Sequence, residues 1–238
     1  MNNPPQARTA TAQARFIATH SVLTLDARHP YVAKSLIDAQ DMHRTVMSGF
    51  KGWVDNGSAD ARAQMGVLST WAVDLKAAAL VLVVQSKVAA DWSHVPRGAL
   101  RDDPHFITVD RTFRTGDTVG FRSVINPTYG KRQFGPSGEL VRGRRVAHTK
   151  PDGVRKWCAR HFGDSHTPGP VGATVDPNSL SVRLLPTVSS PAPHTRLKVA
   201  RAELRGSLSV VDPTAFVTAL GTGIGHARAY SCGLILTR

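Results

Sequence analysis

A chain of 238 residues, of which 41% are hydrophobic, is long enough to bury a core, and its length fits one large domain or two domains of about 120 residues. Its 30 Lys and Arg against 17 Asp and Glu give a formal charge of +13, which favours a polyanionic partner such as nucleic acid. No apolar run approaches the ~18 residues that span a bilayer and no basic amphipathic helix is evident, so the composition argues against a membrane protein.

The N-terminal segment and the cysteines indicate the cellular compartment. Residues 1–14 are polar and lack the apolar centre of a signal peptide, so we expect a disordered tail. Cys158 and Cys232 are too few for a disulfide framework and fit a reducing compartment as free thiols. Cys158 and His161 have the spacing of half a zinc site, but no suitable second pair follows. We therefore expect a cytoplasmic protein without a metal or other cofactor.

The first half of the folded chain predicts a sheet with one long helix. Expected elements are a strand at 16–25, a helix at 31–50, strands at 65–75 and 79–85, a short helix that opens at 91–93 and a strand at 118–125. The run at 79–85 is almost entirely Val and Leu, which is typical of a central strand. The resulting β-α-β-β-(α)-β order is that of a ferredoxin-like unit.

The second half predicts a similar unit with more loops. Expected elements are a basic hairpin at 131–145, a helix at 151–162, a strand at 179–185 between loops at 163–175 and 186–194, strands at 197–211 that bend at Gly206, a helix at 214–220 and a strand at 234–236. We therefore predict an α+β fold of two tandem ferredoxin-like (RRM-like) domains, at 15–126 and 127–238.

A glycine-rich stretch at 223–233 precedes the last strand. Gly223, Gly225 and Gly233 permit backbone conformations that expose amide hydrogens, and Arg228 adds a fixed positive charge, so the loop is suited to binding phosphate. The alternative is that the glycines only end a helix and allow close packing. The stretch lacks the Gly-Lys-Ser or Gly-Lys-Thr of a P-loop, so ATP binding has no support.

The predicted first helix carries the candidate catalytic residues. The pKa of a histidine near neutrality would let His43 donate or accept a proton during RNA cleavage, although a packed helix histidine is the commoner outcome. Arg44 could neutralise a phosphate or lie on a solvated helix face. Gln40, one turn earlier, could hydrogen-bond a ribose or phosphate but cannot act as an acid or base.

Basic residues beside turns are candidates for RNA contact. A duplex RNA backbone offers phosphates and 2′-hydroxyls to such side chains, while solvated loop charge is the alternative of about equal weight. The candidates are Arg122, Lys131, Arg132, Arg142, Arg144 and Arg145.

Several of these motifs occur in a characteristic order. The order is Asp41-Met42-His43-Arg44-Thr45, Val83-Val84-Gln85-Ser86 followed by Asp91-Trp92-Ser93, Phe121-Arg122 to Asn126-Pro127 with Gly130-Lys131-Arg132, and the glycine-rich stretch. This set resembles the CasE family, the CRISPR RNA-processing endoribonucleases of the type I-E Cascade complex, from about residue 16 to residue 236.

The resemblance implies a double ferredoxin-like fold that binds the hairpin of a CRISPR repeat and cuts at the base of its stem without metal. The ribose 2′-hydroxyl would attack the adjacent phosphate, leaving a 2′,3′-cyclic phosphate and a 5′-hydroxyl. The product would then stay bound among the other Cascade subunits. His43 matches the family's catalytic histidine, and Arg228 stands where the family usually has Lys or Arg.

Two positions depart from the family pattern. Gln40 stands where the family typically has a tyrosine, three residues before the histidine, so we expect slower cleavage rather than none. Ser231 stands where the loop often has glycine. A non-catalytic or weakly catalytic subunit that binds the repeat hairpin is therefore the alternative. A basic RNA-binding protein outside CRISPR, such as a ribosome-associated factor, would explain the charge but not the ordered motifs.

Overall fold

The computed structural model describes residues 12–53, 60–134, 136–141, 143–163, 167–191 and 197–238. The helices are α1 (Pro30–Ile37), α2 (Ala39–Ser48), α3 (Ala61–Gln64), α4 (Pro151–Phe162) and α5 (Pro213–Thr222). The strands are β1 (Gln13–Asp26), β2 (Leu68–Asp74), β3 (Ala79–Ser86), β4 (His105–Arg114), β5 (Thr118–Ile125), β6 (Thr128–Gly130), β7 (Gln133–Phe134), β8 (Leu140–Val141), β9 (Arg145–Ala147), β10 (Ala173–Val175), β11 (Ser181–Ser189), β12 (Lys198–Val210) and β13 (Ile235–Thr237). Two 3₁₀ turns lie at Arg97–Ala99 and Arg228–Tyr230. The predicted α+β class is confirmed.

The first sheet is antiparallel with the order β2-β3-β1-β4. The Val- and Leu-rich β3 lies between β2 and β1, as its composition predicts. Leu23 and Leu82, which are fully buried, pack with Met42 and Val46 of α2 in one core. This packing fixes α2 on one face of the sheet.

The single helix predicted at 31–50 is two helices. Asp38 between them has an extended backbone, with φ −117° and ψ 117°, and its carboxylate accepts a hydrogen bond from the Gln40 N–H at 2.8 Å. A side-chain acceptor at this position satisfies an N–H that has no partner inside a helix. The cap therefore starts a second helix at Ala39, and that helix carries Gln40 and His43.

The second sheet is built around β12. β5 pairs with one edge of β12, while β10 and β11 share the other edge, and β13 pairs with the outer edge of β5. Trp157 and Phe162 of α4 and Phe216 of α5 are buried in the core of this sheet. The sheet order β13-β5-β12-β11 repeats the order β4-β1-β3-β2 of the first sheet, counted from each unit's own first strand.

Pairing of the strands corrects two predictions about the first half. The strand at 118–125 exists, but it belongs to the second sheet, and the unpredicted β4 completes the first. β4 is exposed along most of its length, so its sequence lacks the alternation that predicts a strand. Gln13 and Ala14 belong to β1 and pair with Arg114 and Phe113 of β4, so the predicted tail of residues 1–14 is too long. Residues 1–11 lie outside the described residues.

The remaining differences concern short elements. Residues 91–93 form no helix, because the Asp91 carboxylate accepts the Ser93 N–H in a local turn. The loop predicted at 163–175 contains β10, and β11 extends into the loop predicted at 186–194, of which residues 192–194 lie outside the described part. β12 runs unbroken through Gly206. The hairpin at 131–145 and the helix at 151–162 are confirmed in the residues described there.

Both cysteines are free thiols, as predicted, and burial raises the pKa of each to about 12. Within the described ranges, no helix has both the length and the apolar character to cross a membrane.

Polar contacts join the two halves across the first sheet. The buried Gln85 of β3 donates from Nε2 to the Leu220 carbonyl of α5 at 2.8 Å, and its Oε1 lies 3.1 Å from His20 Nε2. The Leu220 carbonyl belongs to the last turn of α5, where carbonyls have no partner within the helix. Arg201 of β12 lies over the Trp71 ring of β2, with 4.1 Å from Cζ to the ring centroid.

Replacing Gln85 with Met should destabilise the protein by about 2–4 kcal/mol, because the Leu220 carbonyl and His20 both lose a buried partner. Urea unfolding measures the change. The matched control is Gln133→Met, an exposed position, which should stay within about 0.5 kcal/mol of the wild type. Equal stability of both variants would show that this contact does not hold the halves together.

Candidate nucleic-acid cleavage site

His43 lies where α2 faces the 3₁₀ turn Arg228–Tyr230. Met42 and Val46 face the first core, which leaves His43 half-buried on a different side of the helix. His43 opens into a cleft of about 300 Å³. The cleft is lined by His43, Met47, Asp60, Ala61, Arg62, Ala63 and Ala229.

The surroundings of His43 favour its neutral form. Burial lowers the pKa of His43, and the positive charges of Arg62 and Arg44 lower it further. A hydrogen bond with the backbone of Ala229 opposes this shift without cancelling it. The imidazole is therefore neutral at neutral pH and can accept a proton.

Arg62 is a site residue that the sequence analysis missed. Its Nη1 donates to the Val67 carbonyl at 2.7 Å, which holds the side chain at the cleft. Burial and the charge of Arg228 lower the pKa of Arg62, so the two cations are close enough to repel each other. Arg62 lies between the helix predicted at 31–50 and the strand predicted at 65–75, and no sequence motif marked it. An anion between Arg62 and Arg228 would relieve their repulsion.

Tyr230 is the second missed residue. Its Oη accepts a hydrogen bond from Gln40 Nε2 at 3.1 Å, and its ring meets the His43 ring edge-on, with centroids 6.1 Å apart and an interplanar angle of 65°. The two candidate catalytic residues of α2 therefore both contact the turn. One N–H of the Gln40 amide is directed to Tyr230, which differs from the predicted direct contact with substrate.

Arg44 does not line the His43 cleft. Its guanidinium pairs with Asp41, one Nε–Oδ1 distance being 2.9 Å, and it lines a separate cavity with Tyr31 and His94. Lys34 approaches the same carboxylate at 4.0 Å. Phosphate contact by Arg44 remains a prediction.

The glycine-rich loop depends on its glycines for shape. Gly223, Gly225 and Gly233 have φ of +74°, +69° and +88°, and a Cβ on Gly225 would lie 2.8 Å from the Trp157 ring. The N–H groups of Gly223 and Gly233 already donate to the carbonyls of Ala219 and Val124. These two amides are therefore occupied, which supports the packing interpretation at both positions.

Ser231 occupies a backbone conformation that favours glycine. Its φ is +57°, in the left-handed region, and its buried hydroxyl lies 2.9 Å from the Ser69 hydroxyl of β2. This hydrogen bond joins the loop to the first sheet. It offsets the strain of a side chain at a position where the resembled family often has glycine.

The remaining predicted RNA contacts lie elsewhere. Lys131, Arg132, Arg144 and Arg145 line a different cavity, of about 720 Å³, on the basic hairpin. Arg142 lies outside the described residues. Roles of these side chains in RNA binding remain predictions.

Arg122 belongs to an ion-pair cluster on the second sheet. Its Nε donates to Glu203 at 2.6 Å, and Arg183 and Arg205 contact the same carboxylate. Burial alone would raise the pKa of Glu203, but the hydrogen bonds from Arg205 and Arg122 outweigh it and lower the pKa. One carboxylate faces three guanidinium groups, so the cluster stays positive.

Replacing Ser231 with Ala should cost about 1–3 kcal/mol of stability, because the left-handed backbone remains while the buried Ser69 hydroxyl loses its partner. Ser231→Gly should cost less, since it releases about 1 kcal/mol of backbone strain. Thermal and urea unfolding would compare both with Ser137→Ala, an exposed control. A glycine variant less stable than the alanine variant would contradict this account.

The chain is similar to known proteins in sequence family and in fold. The model of the family described as CRISPR associated protein matches residues 20–238. Thermus thermophilus Cse3, bound to an RNA representing a pre-cleavage complex, is 22% identical with a TM-score of 0.65, over 94% of this chain and 100% of that one. Cas6e of Escherichia coli K-12 is 17% identical with a TM-score of 0.62, over 92% and 98%.

A chain of a CRISPR RNA-guided surveillance complex is 17% identical with a TM-score of 0.58, over 92% of this chain and 98% of that one. No curated protein was found to match the sequence. The structural matches show a shared fold, and the family model covers nearly the whole chain. The chain therefore belongs to the CRISPR associated protein family, which confirms the family resemblance drawn from its ordered motifs.

Proposed function

We propose that this protein is a metal-independent endoribonuclease that cleaves CRISPR precursor RNA at the base of the repeat hairpin. The observation that carries the proposal is the neutral His43 in a cleft beside Arg62 and near Arg228. A proton acceptor next to converging cations suits attack of a ribose hydroxyl on a phosphodiester. Cse3, with the same fold, is named a CRISPR endoribonuclease.

His43 acts as the general base in this mechanism. It takes the proton of the 2′-hydroxyl, and the 2′-oxygen forms a bond to phosphorus. The bond from phosphorus to the 5′-oxygen breaks, and that oxygen takes a proton from solvent. The products are a 2′,3′-cyclic phosphate and a 5′-hydroxyl, so the reaction consumes no water.

Arg62 and Arg228 stabilise the charge that develops on the phosphate. Both are fixed by hydrogen bonds to carbonyls, of Val67 and Thr222 respectively, so they are held in place before substrate binds. Fixed donors in a partly buried site cost little reorganisation when charge develops. Their proximity already raises the electrostatic energy of the free protein, which favours an anion there.

The basic hairpin binds the stem of the repeat in this proposal. Lys131, Arg132, Arg144 and Arg145 lie together around one cavity and contact phosphates of the duplex. Arg122 contributes through the positive cluster around Glu203. Five further residues remain proposed RNA contacts, although no described geometry directs them to a phosphate. They are Arg142, Arg44, Gly223, Gly225 and Gly233.

Two tandem ferredoxin-like domains form the scaffold of the proposed enzyme. The repeated order of the two sheets supports this division. Because β5 pairs only in the second sheet, we place the boundary between β4 and β5 rather than at residue 126. We also propose that the protein is cytoplasmic and stays with its product among Cascade subunits, since a surveillance-complex chain shares its fold.

Hairpin binding with negligible cleavage is the second candidate function. Gln40 favours it, because an amide stands where the resembled family has a tyrosine. A basic RNA-binding protein outside CRISPR is not favoured, since the family model covers residues 20–238.

Purified protein in EDTA should cleave the host's repeat RNA, and a 2′-deoxy substitution at the scissile nucleotide should abolish the reaction. His43→Ala should slow cleavage at least about 100-fold, because the proton acceptor is lost. His94→Ala is the matched control: this exposed histidine lies at a separate cavity and should cleave as the wild type. Tight binding without cleavage by any variant would instead establish the hairpin-binding subunit.

The cleavage rate should fall as pH falls through the lowered pKa of His43, because only the neutral imidazole accepts a proton. The midpoint of this acid limb should lie below 6.5, the ordinary value, and the rate should be flat above about pH 7. Single-turnover rates across pH give the midpoint.

Arg62→Gln removes the cation that lowers the pKa of His43 most, so the midpoint should move to higher pH while the maximal rate falls about 10- to 100-fold. Arg114→Gln, at an exposed position on β4, should leave the midpoint in place. An acid limb above 6.5 in the wild type would contradict a general-base role for the neutral histidine.

A further inference from the structure

Tyr230 has an unused donor beside the catalytic histidine. Its Oη accepts the Gln40 amide hydrogen at 3.1 Å, and within the described part of the chain its own phenolic proton has no acceptor. A phenolic hydroxyl can accept and donate hydrogen bonds at the same time, so that of Tyr230 can donate while it accepts from Gln40. Because an accepted hydrogen bond polarises the O–H group, it also strengthens the bond that this group donates.

The ring of Tyr230 is fixed from both halves of the molecule. It packs against a buried cluster formed by Val124 and Val199 of the second sheet and by Cys232, and it meets His43 edge-on. The turn that carries it is set by left-handed backbone at Ala227 and Ser231. A half-buried tyrosine whose ring is packed is suited to holding one polar atom in a defined place.

Two adjacent residues of the turn hydrogen-bond the two candidate catalytic residues of α2. Ala229 hydrogen-bonds His43 through its backbone, and Tyr230 receives Gln40 through its side chain. Since Gln40 and His43 are three residues apart on one helix, they lie on the same face. Tyr230 is thus next in the chain to Ala229, which lines the cleft, and its ring contacts His43.

We propose that Tyr230 is a catalytic residue that donates a hydrogen bond to an oxygen of the scissile phosphate, and that Gln40 is the residue that positions it. The inference rests on the proposed cleavage function. In this inference Tyr230 is the neutral hydrogen-bond donor beside the cations Arg62 and Arg228. Gln40 hydrogen-bonds the tyrosine and does not contact the 2′-hydroxyl of the RNA. No covalent bond forms to the protein.

Single-turnover cleavage of the repeat RNA, with protein in excess, tests this assignment. Tyr230→Phe keeps the ring and its packing but removes the donor, so the rate should fall roughly 10- to 100-fold. The Kd for the 2′-deoxy repeat RNA should change less than about threefold, because the loss falls on the transition state. Tyr31→Phe, on α1, is the matched control and should cleave at the wild-type rate.

Two variants of Gln40 separate positioning from a direct role. In Gln40→Glu a carboxylate of similar shape would accept a hydrogen bond from the phenol and so occupy its donor, and the rate should fall to about that of Tyr230→Phe. Gln40→Ala should slow cleavage only about two- to tenfold, and it should slow the Tyr230→Phe variant no further, because both act through one hydroxyl.

The outcomes distinguish the two proposals. Wild-type cleavage with an equally fast Tyr230→Phe variant would overturn the assignment of Tyr230 while leaving the nuclease intact. If Gln40→Ala slowed cleavage by the same factor in the wild type and in the Tyr230→Phe variant, the positioning role of Gln40 would be overturned. Failure of the wild type to cleave would overturn the nuclease itself and, with it, this inference.

Discussion

The contact between α2 and the turn at Arg228–Tyr230 is the constraint on which the site depends. His43 and Gln40 come from the first half of the chain, and the turn comes from its last residues, so neither half contains the site alone. Side-chain hydrogen bonds such as those of Gln40, Gln85 and Ser231 hold the turn and the preceding helix against the first half. Each is partly or fully buried, where an unpaired partner costs more than the bond itself contributes.

Electrostatics at the cleft follow from this contact. Bringing Arg228 from the loop towards Arg62 of α3 places two like charges in a partly buried site. The cost of this repulsion is balanced by the many buried contacts of the fold. Burial and the charge of Arg62 lower the pKa of His43, so the same cleft both offers a site for an anion and keeps the base neutral.

Glycines in the terminal loop mainly determine the path of its backbone. Two of their amides donate to carbonyls of α5 and β5, and Gly225 leaves space for the Trp157 ring. Their contribution to chemistry is indirect, since they allow the chain to turn sharply enough to bring Arg228 and Tyr230 to α2. Ser231 shows that one such position tolerates a side chain when its hydroxyl finds a partner, here Ser69.

The sequence by itself determined the α+β class, the helix at 151–162, the central β3, the free cysteines and the family, because these depend on local periodicity, composition and motif order. It also singled out His43 and Arg228. Only the tertiary structure decided that β5 belongs to the second sheet, that Asp38 divides the first helix, and that Arg62 and Tyr230 join the site. The physical reason is distance along the chain: Gln40 and Tyr230 are separated by 190 residues, and no local pattern encodes a contact that exists only after both sheets have packed.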